Sequence, residues 1–590
     1  MNLAESLDYL NPAQRAAATN TDGPLLVIAG PGTGKTQLLS LRAANILANC
    51  DVRPENILCL TYTDAGAEAM RKRLVQLVGR DAYGIEVSTF HAFAGIVKTR
   101  YPEYFGANAT AVPASELHAK EIIDAFLKNL PFASPLSAPR EGVASALGGV
   151  MGFIGKMKRN GLGPDDGRAI MRQTIAAAEY LDGIAALSEL LNSEVPRASL
   201  AKADYVARFE ELIHLARASA PAKLIQPVID TPGIYVPYLV WLDRLVSATP
   251  LIEGTSAKGF TAIRDAEFRK GDDGVRRSSV RGACEKALVA CDAYEHYERI
   301  LRAEGLIDFD DMVMDCIAAV ERNPALQHAL QDRYRYIQVD EFQDTNGAQM
   351  RMVELLCEGL ARPNVMAVGD DDQAIMRFQG ASVTFIEQFR ERFNPTSVVL
   401  TTNYRSTPQV VELGMGIAGQ VERRLISGND KLISAFRPAG EQVAYRETVF
   451  GAKELEYRAL ARDIRARMDA GFIEGAKNPS EAIAVISCTH AGLRSLIPFL
   501  TAENVPFAYK VKASVFEMET MQTTLALMRY VAARAAGREA LADSYLPQIV
   551  AALCGGFILR LVGSAQSSMM FVAGLLMAVG ALCVFGIKKK

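Results

Sequence analysis

An α/β fold built on a parallel sheet is what this chain predicts, on three observations. Short, nearly continuous apolar runs recur along the first 545 or so residues. Long stretches with apolar residues at helical spacing separate them. One glycine-rich turn joins the first of these runs directly to a helical stretch.

The strand candidates, in order, are Leu25–Ala29, Ile57–Thr61, Tyr336–Val339, Val365–Val368, Val398–Leu400 and Ala482–Ser487. Each is apolar on consecutive positions rather than alternating, as strands buried on both faces of a parallel sheet must be. Between residues 92 and 305 such runs are scarce, and Ala, Leu, Glu and Arg recur at helical spacing. That stretch reads as a helical insertion into the first α/β domain. Within it, Phe268–Arg281 (FRKGDDGVRRSSVR) is polar and basic, and is expected to be a solvated loop that can meet a phosphate backbone.

Composition narrows the class. With 590 residues, 49% hydrophobic and 22% charged, the chain is neither disordered nor a small disulfide-stapled domain. Lys plus Arg number 64 and Asp plus Glu 67, a net charge of -3, so any site for a polyanion must be a local patch. Nine scattered cysteines without a CxxC pair fit reduced thiols, and a cytoplasmic location is expected. The first residues, MNLAESLDYLNPAQ, lack the charged and apolar regions of a signal peptide.

Chemistry enters at Ala29, Gly30, Pro31, Gly32, Thr33, Gly34, Lys35 and Thr36, which follow LLVIA and precede QLLSLRAANIL. A strand, a glycine-rich turn and a helix in that order make a phosphate cradle. Glycines let backbone N–H groups curl around phosphate oxygens, and the helix N-terminus adds a favourable dipole. Lys35 is expected on the β- and γ-phosphates of ATP, and the Thr36 hydroxyl on Mg²⁺. Such a cradle needs distant acids, and YIQVDEFQD (336–344) supplies them at a strand end. Asp340 is placed to hold Mg²⁺ and Glu341 to take a proton from an attacking water.

Seven segments then occur in one order: LNPAQ (10–14), AGPGTGKT (29–36), LTYTDAGAEAMRKRL (60–74), STFHAF (88–93), VDEFQDT (339–345), VGDDDQAIMRFQGA (368–381) and TTNYRST (401–407). Together, with DFDDM at 308–312, they resemble the UvrD/Rep/PcrA-type superfamily 1 DNA helicases over residues 1 to about 540. The resemblance implies a RecA-like motor domain at 1–95 and 300–395, a helical insertion subdomain at 96–299, and a partial second RecA-like domain at 396–545.

It also implies roles. Gln14 would read the adenine edge, Tyr404 would stack on that base, and Arg42 would lie near the nucleotide. Gln373 would sense the γ-phosphate, and Arg405 would reach it as an arginine finger. On the DNA side, Tyr62 and Phe378 match the base-stacking positions, while Thr61, Thr63, Thr89 and His91 would meet the sugar-phosphate chain. Met376 and Phe378 stand where the family often has an aromatic and a Trp, which implies a softer grip. The implied partners are ATP, single-stranded DNA and duplex DNA, with 3′-to-5′ movement.

Two late family motifs, a His/Lys/Gly segment and an arginine segment near a YVALTRA-like helix, have no match after YKVKASVFEMETMQTTLALMRYVA (509–532). An incomplete second domain and slowed hydrolysis are expected, so a module that binds ATP and DNA without unwinding stands as the alternative. The tail, 546–590, is foreign to the family. Its segment Met569–Ile587 is 19 uncharged residues, about 28 Å as a helix and long enough for a membrane. A hairpin with Ile549–Gly563 would bring the closing lysines back to the cytosol. These last residues are similar to the final helices of a major-facilitator-type transporter, which implies either a joined or frameshifted gene segment or a genuine membrane anchor.

Overall fold

The structure is a computed structural model that describes residues 3–137, 143–195, 199–226, 242, 264–271, 273–375, 384–420, 431, 433–438, 446–471, 483–509, 519–535, 537, 539 and 545–546. The chain divides into two compact units, Met1–Arg446 and Glu447–Lys590.

Unit one is organised by a six-stranded parallel sheet. Its strands are β1 (Leu25–Ala29), β2 (Ile57–Thr61), β3 (Glu86–Thr89), β4 (Tyr336–Val339), β5 (Asn364–Gly369) and β6 (Thr396–Leu400), in the order β6-β1-β5-β4-β2-β3. Alternate residues of one strand feed opposite cores. Leu26, Ile28, Leu58, Leu60, Ile337 and Val339 join one buried cluster. Leu25, Val27, Ala29, Ile57, Cys59 and Tyr336 join the other. Both faces are thus covered, and this is why the runs read as apolar without alternation.

Two strands differ from the sequence reading. β3, which the reading left out, is a four-residue edge strand with a half-buried Glu86, too short and too polar to register as an apolar run. β6 pairs with β1 from Leu25↔Thr396 to Ala29↔Leu400, so the chain stays in the first sheet past residue 395. Unit one continues to Arg446.

Helices cap themselves locally. In α2 (Pro12–Thr19) the Asn11 side chain accepts from Gln14 N while Gln14 Oε1 accepts from Asn11 N, a reciprocal cap. α3 (Lys35–Asn49) follows β1 after the glycine turn, α4 (Asp64–Val78) follows β2, and α5 (Phe90–Arg100) follows β3. Thr63 and Thr89 are their N-caps, each hydroxyl accepting a backbone N–H three residues on.

Between β3 and β4 the described residues are mostly helical. This insertion includes α6 (Glu116–Lys128), α7 (Val143–Arg159), α8 (Pro164–Asp182) and α9 (Val280–Ala303). Ile123, Ile154, Tyr294 and Tyr297 share one of its cores. At its base Val112–Pro113 pairs in parallel with Leu306–Ile307, tying the outgoing chain to the returning one. The expected loop Phe268–Arg281 is instead an antiparallel hairpin, Phe268–Lys270 against Arg276–Ser278. Phe268 is buried, Gly274 supplies a turn residue at φ 79°, and Arg276 and Arg277 pair with Asp265 and Asp273. Those arginines are held by internal carboxylates.

In unit two, helices Lys453–Asp469 and His490–Ala502 pack through Ala461, Ile464, Leu496 and Leu500. The expected strand at Ala482–Ser487 does not form in its described part, 483–487. There Ile483 and Val485 lean on that apolar cluster while Ile486 is exposed, and no ladder partner occurs among the described residues. No helix among the described residues is long and apolar enough to cross a membrane. The segment Met569–Ile587 and its proposed partner Ile549–Gly563 lie outside the described residues.

A buried cation joins insertion to sheet domain. Lys158, at the end of α7, has a fully buried side chain and contacts Asp308 at 2.7 Å and Asp311 at 2.5 Å. The Tyr294 and Tyr297 rings lie 5.4 and 5.1 Å from its Nζ. Burial pushes the Asp311 carboxyl up to about 7, with Lys158 opposing and Asp308 adding to the rise. A carboxyl raised in the fold stabilises below its unfolded value near 4 and loses that contribution as pH climbs through 7. Lys158→Ala removes the cation that opposes this rise. We expect a loss of roughly 3–5 kcal/mol at pH 8, and a smaller one at pH 5, where Asp311 keeps its proton. Urea unfolding at both pH values measures the difference.

Candidate functional site

All six strands of the sheet run the same way, so their C-terminal ends share one edge. Ile28 of β1 pairs with Gly369 of β5, and Val339 of β4 with Ala367, so the segments after β1, β4 and β5 leave side by side. Ligands of open α/β sheets bind at such an edge.

The turn after β1 is Gly30 to Gly34. Gly32 and Gly34 have φ of 70° and 88°, left-handed values that side chains resist. Gly34 is the N-cap of α3, so this turn delivers backbone N–H groups at a helix start. Thr33 is fully buried, its hydroxyl donating to Gly30 O at 2.8 Å. Lys35 opens α3 and its Nζ donates to Glu341 Oε2 at 2.9 Å. Thr36 follows in the first turn, half-buried.

Glu341 and Asp340 sit just beyond β4. Glu341 has a left-handed φ of 49°, which turns the chain away from the strand axis. Burial alone would raise its carboxyl; the Lys35 ammonium and the Gln343 amide bring it below its ordinary value, and Arg405 contributes. Asp340 is 6% exposed, and its N–H continues the sheet by donating to Leu60 O at 2.8 Å. Burial and the neighbouring Glu341 push its carboxyl up to about 6, with Lys35 opposing. The two adjacent carboxyls are thus driven apart, one held below its ordinary value and the other raised to about 6.

The network continues. Gln343 donates to Glu341 Oε2 and accepts from Asp370 N, at 2.8 and 2.9 Å. Gln373 Nε2 donates to Asp370 Oδ2 at 2.5 Å. Lys431, 1% exposed, contacts Asp370 at 2.6 Å, Asp372 at 3.0 Å and Asp371. Burial alone would lower this ammonium; the aspartates hold it above its ordinary value. The three carboxylates therefore already have a cation, one that the stretch GNDKLI gave no sign of.

On the other side of the turn stands the segment 402–405. Strands β7 (Thr402–Asn403) and β8 (Ser434–Ala435) form a small parallel pair. Asn403 Nδ2 donates to Pro31 O at 2.8 Å, and Tyr404 N donates to Gly32 O at 2.9 Å. Asn403 Oδ1 accepts from the backbone of Arg405 and Ser406. Asn403 lay inside a quoted motif without an assigned role. Tyr404 Oη accepts from Asn11 Nδ2 at 3.0 Å, and its ring tilts against Phe436. Gln14, 6% exposed, donates to Thr33 O at 2.8 Å. Gln14, Tyr404, Lys35, Glu341 and Arg405 therefore gather around one turn.

Arg42 does not join them. It is fully buried two turns into α3, donating to Asn20 O at 3.0 Å. Its neighbours are Cys50, Cys59 and Tyr336, the last at the start of β4 on the far edge of the sheet. Burial brings its guanidinium down to about 10. Helical geometry explains the mismatch: a residue seven positions after Lys35 sits about 10 Å farther along the axis.

The residues expected to meet DNA lie farther along the same edge. Thr61 and Thr89 are register partners at the ends of β2 and β3. Tyr62 is half-buried beside Arg159, and burial raises its hydroxyl above the ordinary value. Thr63 and Thr89 spend their hydroxyls as caps. His91 stacks on Phe309. Phe378, like Met376, lies outside the described residues.

The site can be tested for ATP and Mg²⁺ on its donor set. A glycine cradle at a helix start, a lysine, a hydroxyl and a buried carboxylate match a metal-bound triphosphate. Thr36 and Asp340 are the residues that would hold the ion.

Residues 10–394 match the family model described as the UvrD/REP helicase N-terminal domain. The chain is 25% identical over 524 residues to a protein of Staphylococcus epidermidis (strain RP62A) named ATP-dependent DNA helicase PcrA, covering 89% of this chain and 54% of that one. It is 24% identical over 527 residues to the protein of that name from Staphylococcus aureus (strain COL), with the same coverage. The chain thus spans about half the length of the curated relatives it matches.

The crowding at Gly32 yields a test. A Cβ there would lie 2.7 Å from Asn403 Oδ1 and 2.8 Å from Arg405 Cβ, whereas at Gly79, also left-handed, it meets nothing within 4 Å. Gly32→Ala should lower stability by about 1–3 kcal/mol and weaken binding of a fluorescent ATP analogue. Gly79, at φ 63° and ψ -126°, is in a conformation that side chains resist, so Gly79→Ala should also cost about 1–3 kcal/mol of backbone strain but leave nucleotide affinity unchanged. Equal losses of nucleotide affinity in the two variants would reject the Asn403 clamp.

Proposed function

The chain belongs to the UvrD/REP helicase family, and from that premise we propose that it is an ATP-dependent DNA helicase motor moving 3′ to 5′ on single-stranded DNA. One observation carries the reading: Lys35, Glu341 and Arg405 converge on the glycine turn. Lys35 touches Glu341 at 2.9 Å, and Arg405 is close enough to Glu341 to lower its carboxyl.

Chemistry follows from those positions. Lys35 balances the charge of the β- and γ-phosphates, while the backbone of 30–34 holds their oxygens. Glu341, kept ionised, accepts a proton from the attacking water. Asn403 keeps the segment of Arg405 against the turn, so that its guanidinium meets charge developing on the γ-phosphate. Bound Mg²⁺ would supply further charge neutralisation at Thr36 and Asp340. Gln373, held on Asp370, is the proposed γ-phosphate sensor. Gln14 and Tyr404 form the proposed adenine wall.

Single-stranded DNA is assigned to the edge of β2 and β3, where Thr61, Tyr62, Thr63, Thr89 and His91 lie. The same preparation separates a motor from a module that binds without unwinding. A motor shows ATP turnover stimulated by single-stranded DNA and separates a duplex carrying a 3′ single-stranded tail. The module shows saturable binding of both ligands with negligible strand separation.

Two variants resolve the roles. Lys35→Ala should abolish nucleotide binding. Arg405→Ala should leave nucleotide affinity within a few-fold and lower kcat by about 10³–10⁵. Titration with a fluorescent nucleotide and steady-state phosphate release measure both, and an Arg405→Ala enzyme with normal kcat would remove the arginine from the mechanism.

A further inference from the structure

The segment DFDDM carries an exposed aromatic that the proposed mechanism leaves without work. Phe309 is 64% exposed, an unfavourable place for a phenyl ring. It is nonetheless held firmly. Its ring stacks on His91 at 4.0 Å between centroids and 19° between planes. The residues around it are anchored from below: Asp308 and Asp311 grip the buried Lys158. Asp310 lies 3.7 Å from Arg159 and 3.9 Å from His91. Asp308 and Asp311 also cap each other, each backbone N–H donating to the other's carboxylate at 2.9 and 2.8 Å. A buried charge network thus spends its geometry on fixing one exposed ring.

Position says what the ring faces. His91 lies two residues after Thr89, in the first turn of α5, and Tyr62 follows Thr61; these threonines are register partners on adjacent strands. Adjacent strands lie about 4.8 Å apart. Tyr62, His91 and Phe309 therefore come one after another along the sheet edge, bordered by Arg159 from the insertion, which is close enough to Tyr62 to act on its hydroxyl.

We propose that Phe309, backed by His91, is a base-stacking platform that extends the single-stranded nucleic acid track beyond Tyr62 toward the helical insertion. This rests on the DNA-binding reading above. Stacking suits the place because Arg159 is already balanced by Asp310, leaving little net charge to attract a phosphate. A π-face accepts any base, so the platform adds affinity without sequence preference. His91 acts as a positioning residue, its ring supporting the phenyl from behind.

The test uses the full chain and a fluorescein-labelled (dT)20 strand, read by anisotropy across a salt series. Phe309→Ala should raise Kd about 5- to 100-fold, and Phe309→Trp should restore or tighten binding. The slope of log Kd against log salt should stay the same, because no phosphate contact is lost. Phe309→Leu, which keeps an apolar side chain of similar bulk, should fall between Ala and wild type, and an unchanged melting temperature checks the fold. Phe132→Ala removes a 99% exposed ring elsewhere in the insertion and serves as the control. Unaltered affinity in Phe309→Ala, with wild type binding (dT)20, overturns the platform. So does a loss matched by Phe132→Ala, or one that shifts the salt slope. If wild type itself fails to bind (dT)20, the DNA-binding reading falls, and the platform with it.

Discussion

Parallel strands buried on both faces leave a protein little choice about where to place chemistry. Every strand of this sheet must end at the same edge, and every connection from that edge must begin in a turn. The glycine turn after β1, the acid pair after β4, the aspartates after β5 and the segment after β6 emerge together because their strands are neighbours. The proposed nucleotide site is a consequence of that alignment. Residues more than three hundred positions apart, Lys35 and Glu341, meet at 2.9 Å without any loop having to search for the other.

Once the edge is populated, electrostatics binds its parts into one network. Lys35 holds Glu341, Gln343 bridges Glu341 to Asp370, and Asp370 holds both Gln373 and Lys431. A buried carboxylate without a cation would be driven to take up a proton. Lys431 supplies the balancing charge in a place where water cannot, and it shares Asp370 with Gln373. It also lies three residues before β8, which pairs with the strand of Asn403. The Gln373 side and the Arg405 side of the turn are therefore tied through one ammonium.

How much of this was legible follows from what each residue does for itself. The glycine turn and its lysine could be read directly, because a phosphate cradle demands a fixed spacing of glycines between strand and helix. The acid pair could be read because ionisable residues rarely end an apolar strand by chance. Asn403 and Lys431 were not legible in their roles: each acts on a partner distant in sequence, and neither spacing nor composition marks the pairing. Arg42 was misplaced because proximity in sequence was taken for proximity in space, while seven helical residues carried it into the core. β3 escaped notice as an edge strand half made of polar residues, and Ala482–Ser487 looked like a strand because apolarity alone does not supply a ladder partner.

Burial also separates two kinds of polar work at this edge. Thr63 and Thr89 satisfy helix N-termini with their hydroxyls, which is local and worth about 1 kcal/mol each. Lys158 with Asp308 and Asp311 is different in kind. Desolvating three charges costs several kcal/mol per ion, and well-packed apolar residues would usually stabilise the same volume as well or better. Stability alone does not account for such an arrangement. What the ions provide is direction: salt bridges have defined geometry where apolar contacts do not, and here that geometry fixes the backbone on both sides of Phe309. The insertion and the sheet domain are thereby joined at the point where an aromatic ring is turned outward against His91.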